Sequence, residues 1–472
     1  MSMEVQEYLS SGGVELGARV AAGEVAALDL AETALSIAEA AEPHVNAYAR
    51  LYQDRAREQA AERDEEVRAG RIRGPLHGVP VAIKDNMAYE GTPMLKGSWT
   101  TTEEPQTTSA PMVERLLEAG AVIVGATTTP EFGWKGTGIS PRTGISRNPW
   151  DTDRGTGGSS AGAGATVATG AVPIATGTDA GGSVRIPASF CGVVGVKPTL
   201  GAIPVWPGTV NENLSHAGVL TRSVADALAA LRITRGPDPR DPQSFHSWPP
   251  QPSSGTRFRV GVVARPFGIG PSPEVAQVWE SALAAIVAAD VADLENVDIT
   301  AALPREVFEA LWVTGRGLGF ADLVPEWGDR MDPALVRVTE LARDWSLADY
   351  YRAMGRRRAF NASMAQMLSE WDALLMPTMP ITALAAEAEV PEHGELDAGL
   401  PWITWTPYTY PFNITGQPAI SLPTGLGVGM PVGVQIVSGW GRDEDLMALA
   451  LQVEGALAST NALRVASHTW TT

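Results

Sequence analysis

Between residues 75 and 224 the chain breaks into short apolar runs, among them Val79-Pro-Val-Ala-Ile83, Ala121-Val-Ile-Val-Gly125 and Val172-Pro-Ile-Ala175, separated by glycine-rich turns and helical stretches. Runs this short, bounded by turn residues, fit strands, and their alternation with helices predicts an α/β sheet covered on its faces by helices. The same texture returns in Ala373-Leu-Leu-Met-Pro377, Ala419-Ile-Ser-Leu-Pro423 and Val432-Gly-Val-Gln-Ile-Val437. The C-terminal part of the chain is therefore expected to complete the sheet.

Other stretches read differently. Residues 1–70 form a helical lead-in, because Leu28, Leu30, Ala31, Leu35 and Ile37 recur at helical spacing and residues 52–68 are dense in Ala, Glu, Gln and Arg. A catalytic core is assigned to residues 71–235. Six prolines between Gly236 and Gly255 remove backbone donors, so residues 236–256 read as an extended connector. After a strand-like run at 257–263, residues up to 370 are mainly helical and suggest a cap-like insertion, and 371–472 return to the core. The whole chain, 1–472, reads as one domain without an internal repeat.

The 35 basic and 54 acidic residues give a net charge of −19, which argues against nucleic acid or an anionic membrane surface as partner. No apolar run approaches the roughly 20 residues that span a bilayer, and the start, Met1-Ser-Met-Glu-Val-Gln-Glu-Tyr8, lacks the pattern of a secretion signal. A single cysteine, Cys191, excludes an internal disulfide and suits a reducing compartment, so a cytoplasmic location is expected. Cys191 itself reads as a small buried apolar residue. The six histidines, at 44, 77, 216, 246, 393 and 468, are scattered without metal-ligand spacing, and neither a metal nor an organic cofactor is expected.

Three phrases carry chemistry: Val81-Ala-Ile-Lys84-Asp85-Asn86, Gly157-Gly-Ser159-Ser160-Ala-Gly162 and Asp179-Ala180-Gly181-Gly182-Ser183-Val-Arg185. A serine hydroxyl needs a base to become a nucleophile, and no histidine is placed for the task. A lysine can serve if it is neutral, and burial at the end of an apolar strand favours the neutral form of Lys84. Asp85 would counteract this, but adjacent strand residues point to opposite faces. The run Ala180-Gly181-Gly182-Ser183 offers successive N–H groups with little side-chain bulk, suited to a developing oxyanion.

Together with Asn148-Pro-Trp-Asp-Thr-Asp-Arg154, Cys191-Gly-Val-Val-Gly-Val-Lys197-Pro-Thr199, Thr221-Arg-Ser-Val224, Pro377-Thr-Met-Pro380 and Phe412-Asn-Ile-Thr-Gly-Gln-Pro-Ala-Ile-Ser421, these phrases resemble the amidase signature family over nearly the whole chain. The resemblance implies a mixed central sheet covered by helices. It implies Ser183 as nucleophile, Ser159 as intermediate serine on a cis peptide, and Lys84 as terminal base. Ser160, Asp179 and Arg185 match positions that support the two glycine–serine loops.

Fourteen tryptophans are many for this length. Trp206, Trp402 and Trp405 fall in Gly/Pro-rich segments and are expected to line the substrate pocket, which favours an apolar or aromatic amide, or a carbamate, over a charged substrate. The family also includes the catalytic subunit of a tRNA-dependent glutamine amidotransferase, which works within a larger assembly. A nucleophile elbow centred on Ser160 is disfavoured because no strand is expected ahead of it. A dinucleotide fingerprint at Gly155-x-Gly157-x-x-Ser160 is too imperfect to weigh. Oligomeric state stays open, a homodimer included.

Overall fold

The computed structural model describes residues 4–245, 257–396 and 398–458. Strands β1 (Tyr48–Leu51), β2 (Pro80–Lys84) and β3 (Val122–Thr127) are followed by two short ribbons. These pair β4 (Ile139–Ser140) with β5 (Gly144–Ile145) and β6 (Arg147–Asn148) with β7 (Asp151–Gly155). Next come β8 (Ile174–Asp179), β9 (Val194–Lys197), β10 (His216–Thr221), β11 (Arg259–Val262), β12 (Asp293–Asn296), β13 (Ala373–Pro377), β14 (Ala419–Gly427) and β15 (Met430–Ser438). Eleven of them form one mixed sheet in the order β1-β3-β2-β8-β10-β9-β14-β15-β13-β11-β12.

The centre of this sheet positions the site. All five residues of β2 are buried, which explains its unbroken apolar sequence. β2 runs parallel to β3, with Lys84 opposite Thr127, and parallel to β8, with Ala82 opposite Ala175. Parallel neighbours end at the same edge, so Lys84 and the end of β8 at Asp179 share the carboxyl end of the sheet. Open α/β sheets bind their ligands at that end.

The lead-in forms the helices Val5–Ser10, Gly13–Ala21, Ala27–Val45 and Gln53–Arg68. Ala27–Val45 buries Leu30, Ala31, Leu35 and Ile37, as their spacing predicts. Its N-terminus has no side-chain cap of its own. The Asp64 carboxylate of the neighbouring helix accepts from the N–H groups of Ala27 at 2.6 Å and Leu28 at 3.1 Å, placing a negative charge at a positive helix end. The lead-in also holds β1, an unexpected strand that pairs antiparallel with β3. Asn46 ends the preceding helix in a left-handed conformation, φ 48°, and turns the chain into that strand.

The 257–370 segment is more than a cap. It contains the long helices Pro273–Ala288, Arg305–Phe320 and Leu347–Glu370, but β11 and β12 also extend the sheet in parallel from β13. Asp293-Leu-Glu-Asn296 looks unlike a strand because it is the sheet edge, where charged residues face water. Of the proline-rich connector, 236–245 includes the short helical turn Pro242–Phe245; residues 246–256 lie outside the described residues. Two apolar cores result. One packs the lead-in helices against Val81, Ile123, Ile174 and Val219; the other gathers Trp134, Phe308, Trp312, Trp402 and Phe412. Among the described residues no helix is long and apolar enough to cross a membrane.

Gly17, inside helix Gly13–Ala21, seats the lead-in on the core. A Cβ there would stand 2.1 Å from the Pro75 carbonyl oxygen, a backbone atom that cannot rotate aside. Gly17→Ala is expected to lower stability by about 1–3 kcal/mol through overpacking, outweighing its helix-propensity gain of about 1 kcal/mol. Urea unfolding would read this as a lower midpoint, and an unchanged or higher midpoint would contradict the close approach.

Candidate active site

Lys84 is completely buried, and among the described residues its amine bonds only to hydroxyls. Nζ donates to Ser159 Oγ at 2.8 Å, Thr178 Oγ1 at 2.9 Å and Ser160 Oγ at 3.1 Å. Burial pushes its pKa well below the usual lysine range; the Asp179 carboxylate opposes this and the Arg316 cation adds to it. Asp85 turns away, as strand alternation requires. Its Oδ1 accepts from Leu95 N–H at 3.1 Å, and burial raises its carboxyl pKa to about 6 against the N–H bonds from Leu95 and Gly97.

The Gly158–Ser159 peptide is cis. Gly158 and Gly133 let this loop approach its neighbours: a Cβ on Gly158 would stand 2.2 Å from Thr137 O, and one on Gly133 3.0 Å from Ser159 Oγ. Ser160 knits the two serine loops together. Its N–H donates to Ser183 O at 3.0 Å, and its Oγ accepts from Thr178 N–H at 3.3 Å. Ser160 is wholly buried and does not line the cavity that holds Ser159 and Ser183, which argues against it as a nucleophile.

The loop after β8 hangs on Asp179, buried with Arg185 at zero exposure. Burial alone would raise the Asp179 pKa, but the Arg185 guanidinium holds it far below the usual carboxylate range. Arg185 donates to Asp179 through Nε and Nη2, both at 3.0 Å, to Gln435 at 2.8 Å and to Asn413 at 2.7 Å. Asn413 in turn donates to Asp179 Oδ1 at 2.8 Å. Residues more than 200 positions apart thus fix one loop.

That loop corrects one expectation. Gly182 N–H donates to Asp179 Oδ1 at 2.8 Å, so it is not free for an oxyanion. The amides of Ala180, Gly181 and Ser183 have no acceptor among the described residues. Gly182 has another role: at φ 126°, with Thr409 Oγ1 2.3 Å from where a Cβ would lie, only glycine fits.

Ser159 and Ser183 line the same cavity, of about 140 Å³, together with Asn86, Thr178 and Ala180. The three tryptophans expected there are elsewhere. Trp402 packs in the core against Phe308 and Trp312. Trp405 stacks on Phe190 and donates to Glu389 O at 3.0 Å. Trp206 is half-buried under the Arg240 guanidinium. The aromatic wall is instead Phe132 and Phe320, stacked with ring centroids 4.2 Å apart. Sequence reading also missed Lys96 and Arg316. A signal was present for the latter: the run Gly315-Arg316-Gly317-Leu-Gly319 lies inside a helix, where glycine costs about 1 kcal/mol, and so marks a closely packed segment.

Cys191 is buried and its thiol is pushed up by burial. None of the described histidines lines the cavity; His246 and His468 lie outside the described residues. Among the described residues no three side chains are grouped as metal ligands.

Residues 29–447 match the family described as Amidase. The chain belongs to the amidase signature family. It is 33% identical over 465 residues to an acylamidase from Rhodococcus erythropolis, covering 93% of this chain and 94% of that protein. It is 32% identical over 470 residues to a glutamyl-tRNA(Gln) amidotransferase subunit from Synechococcus sp. (strain CC9605), covering 92% and 94%. Among solved structures, a bacterial aryl acylamidase of the amidase signature family superposes with TM-score 0.85 at 26% identity, covering 94% of this chain and 96% of that one. The 6-aminohexanoate cyclic dimer hydrolase gives 0.85 at 29%, covering 95% and 98%. As a member of this family, the protein is an amide-hydrolysing enzyme.

The buried charges have measurable consequences. Asp179→Ala leaves the Arg185 guanidinium buried without a carboxylate, and is expected to destabilise the fold by about 3–5 kcal/mol in urea titration; a change near zero would mean that Asn413 and Gln435 suffice. Lys84 acts in the opposite sense. Its unfolded pKa is about 10.4, so between the lower folded value and that value the unfolded chain holds more protons, and stability rises with pH. Lys84→Met is expected to melt at or above wild type at pH 7, and this advantage should shrink as pH approaches 10. A pH-independent difference in Tm would show that Lys84 is charged in the folded protein.

Proposed function

We propose that the protein cleaves the C–N bond of small amides through an acyl-enzyme on Ser183, with Ser159 and Lys84 completing the proton path. The observation that most supports this is a buried lysine, held toward its neutral form, bonded to one of two serines that share a cavity. In this reading neutral Lys84 draws the Ser159 proton while Ser159 takes that of Ser183, whose oxygen attacks the carbonyl carbon. The negative oxygen that forms accepts from the amides of the loop 180–183 that remain free of other partners. The proton returns through Ser159 to the nitrogen as the C–N bond breaks and the amine leaves. Water then repeats the sequence and releases the acid.

Ser160, Asp179 and Arg185 would act by holding the loops, without touching substrate. The stacked Phe132 and Phe320 support an apolar or aromatic portion in the substrate, as do the names acylamidase and aryl acylamidase among the relatives. Carbamates and esters differ from amides mainly in their leaving group, so urethane cleavage falls within the same chemistry. A second reading is the catalytic subunit of a glutamine amidotransferase, supported by several amidotransferase relatives at 31–33% identity. Glutaminase activity appearing only with a co-purified partner would favour it.

The test is release of a chromogenic aromatic amine from a panel of anilides and matched aryl carbamates. Ser183→Ala should abolish turnover. Ser159→Ala and Lys84→Ala should lower kcat by about 100- to 10,000-fold, the usual range for lost acid–base catalysis. Added hydroxylamine should divert the acyl group to a hydroxamate. Full activity in Ser183→Ala, or no hydroxamate at any concentration, would overturn the acyl-enzyme.

A further inference from the structure

The wall of the cavity that holds Ser159 and Ser183 carries two cations, Lys96 and Arg316, and no carboxylate. Arg316, on helix Arg305–Phe320, is 6% exposed. Its Nη1 donates to Phe132 O at 2.8 Å, and its guanidinium lies 4.9 Å from the Trp312 ring centre. Its Nε is buried without a hydrogen-bond partner among the described residues. Phe132 also ties in Lys96, because its N–H donates to Lys96 O at 2.7 Å. The backbone of Lys96 is left-handed, φ 53°, so the loop is held in an uncommon shape that keeps this side chain on the cavity wall.

A purely structural role for Arg316, fastening its helix to the loop at Phe132, uses one of its five N–H groups. It leaves a buried charge without a counter-charge, and proteins seldom tolerate that arrangement without a use for it. Lys96 on the same wall adds a like charge, and burial together with Arg316 lowers its pKa. Of the nearby acidic groups, Asp179 is taken up by Arg185, while Asp85 accepts from the Leu95 N–H and opposes the lowering of the Lys96 pKa without forming an ion pair with it. Neither cation forms an ion pair among the described residues. The missing negative charge must come from what binds.

We propose that Arg316 and Lys96 form a specificity subsite for a carboxylate carried by the substrate, so that the preferred substrates are amides bearing an acidic group. This rests on the reading of the cavity as the acyl-transfer site, and it reverses the preference for uncharged substrates drawn from the tryptophan content. The Phe132–Phe320 pair would hold the apolar portion of the substrate, while the guanidinium, with its fork of donors, suits a carboxylate.

The experiment compares matched para-nitroanilides, that of glutaric acid with one free carboxylate and that of hexanoic acid with none. A second pair places the charge on the amine side, as an N-acyl para-aminobenzoate against an N-acyl para-toluidine. Each enzyme is assayed on the plateau of its own pH profile, so that a change in Lys84 ionisation is not mistaken for lost binding. Wild type should favour the acid of at least one pair by about 10- to 100-fold in kcat/KM, mostly through KM, the range expected of a charged hydrogen bond. Arg316→Gln should bring that ratio to about one, and Arg316→Lys should restore part of it. Equal turnover of both members of each pair, or an equal loss on both in Arg316→Gln, would overturn the subsite. If Arg316→Gln does not fold, Lys96→Gln tests the same ratio. Calorimetric binding of glutarate to Ser183→Ala separates the subsite from the acyl-transfer chemistry. Binding that Arg316→Gln removes would support the subsite even if no anilide were cleaved, whereas no binding would count against it.

Discussion

The structure turns on burying one lysine among hydroxyls, with no carboxylate bonded to it among the described residues. An ammonium in the interior normally acquires a carboxylate, and a carboxylate would stabilise the proton that Lys84 would have to lose in the proposed role of base. Two acidic residues are close enough to do this. Asp85 follows Lys84 directly but strand alternation turns it toward Leu95. Asp179 ends the neighbouring strand, and its charge is taken up by Arg185, two N–H groups of its own loop and Asn413. What remains around Nζ is three hydroxyls, which can accept from or donate to nitrogen without fixing its charge.

This separation of charges draws on the whole chain. Lys84 comes from β2, the serines from two loops that Ser160 joins, and Asp179 from β8. The groups that complete the Arg185 network, Asn413 and Gln435, come from the C-terminal part, where Gln435 also donates to Tyr408 O. Thr409 donates to Gly181 O in the same loop. The C-terminal strands therefore do two things at once: they extend the sheet through β9, and they supply the polar partners without which a buried arginine and aspartate would not be tolerated.

What the sequence disclosed and what it withheld divide along this line. Short apolar runs between turns marked β2, β3, β8, β13, β14 and β15, because such runs reflect local burial on both faces. β1 and β12 escaped, since an edge strand needs no apolar pattern and takes its pairing from a distant partner. Lys84 was legible because it ends an unbroken apolar strand, and Ser159 and Ser183 because each sits in a phrase whose glycines are locally required. The direction of the Gly182 N–H was not, since it depends on where the Asp179 carboxylate points. The tryptophans misled for a similar reason. A large aromatic ring in a Gly/Pro-rich segment signals burial, and whether it is buried against substrate or against Phe308 and Phe190 is decided by tertiary packing.

The same distinction bears on how chemistry and selectivity can vary independently. The proposed proton path sits on the ends of central strands and on loops whose glycines admit no Cβ, as at Gly158 and Gly182, so it can change little without loss of the fold. The groups that would choose a substrate sit elsewhere, Lys96 and Phe132 on loops, Arg316 and Phe320 on a helix of the 257–370 segment. That helix meets the site through the cavity wall, the Phe132 carbonyl and Phe308, whose ring stands against Gly181. A substitution there alters what is held against Ser183 while leaving the hydroxyls around Lys84 in place. Arg316 links the two levels, because the same positive charge that would attract a carboxylate also disfavours the protonated form of Lys84. An acidic substrate bound at the proposed subsite would weaken that second effect, so filling the subsite would favour the protonated form of Lys84.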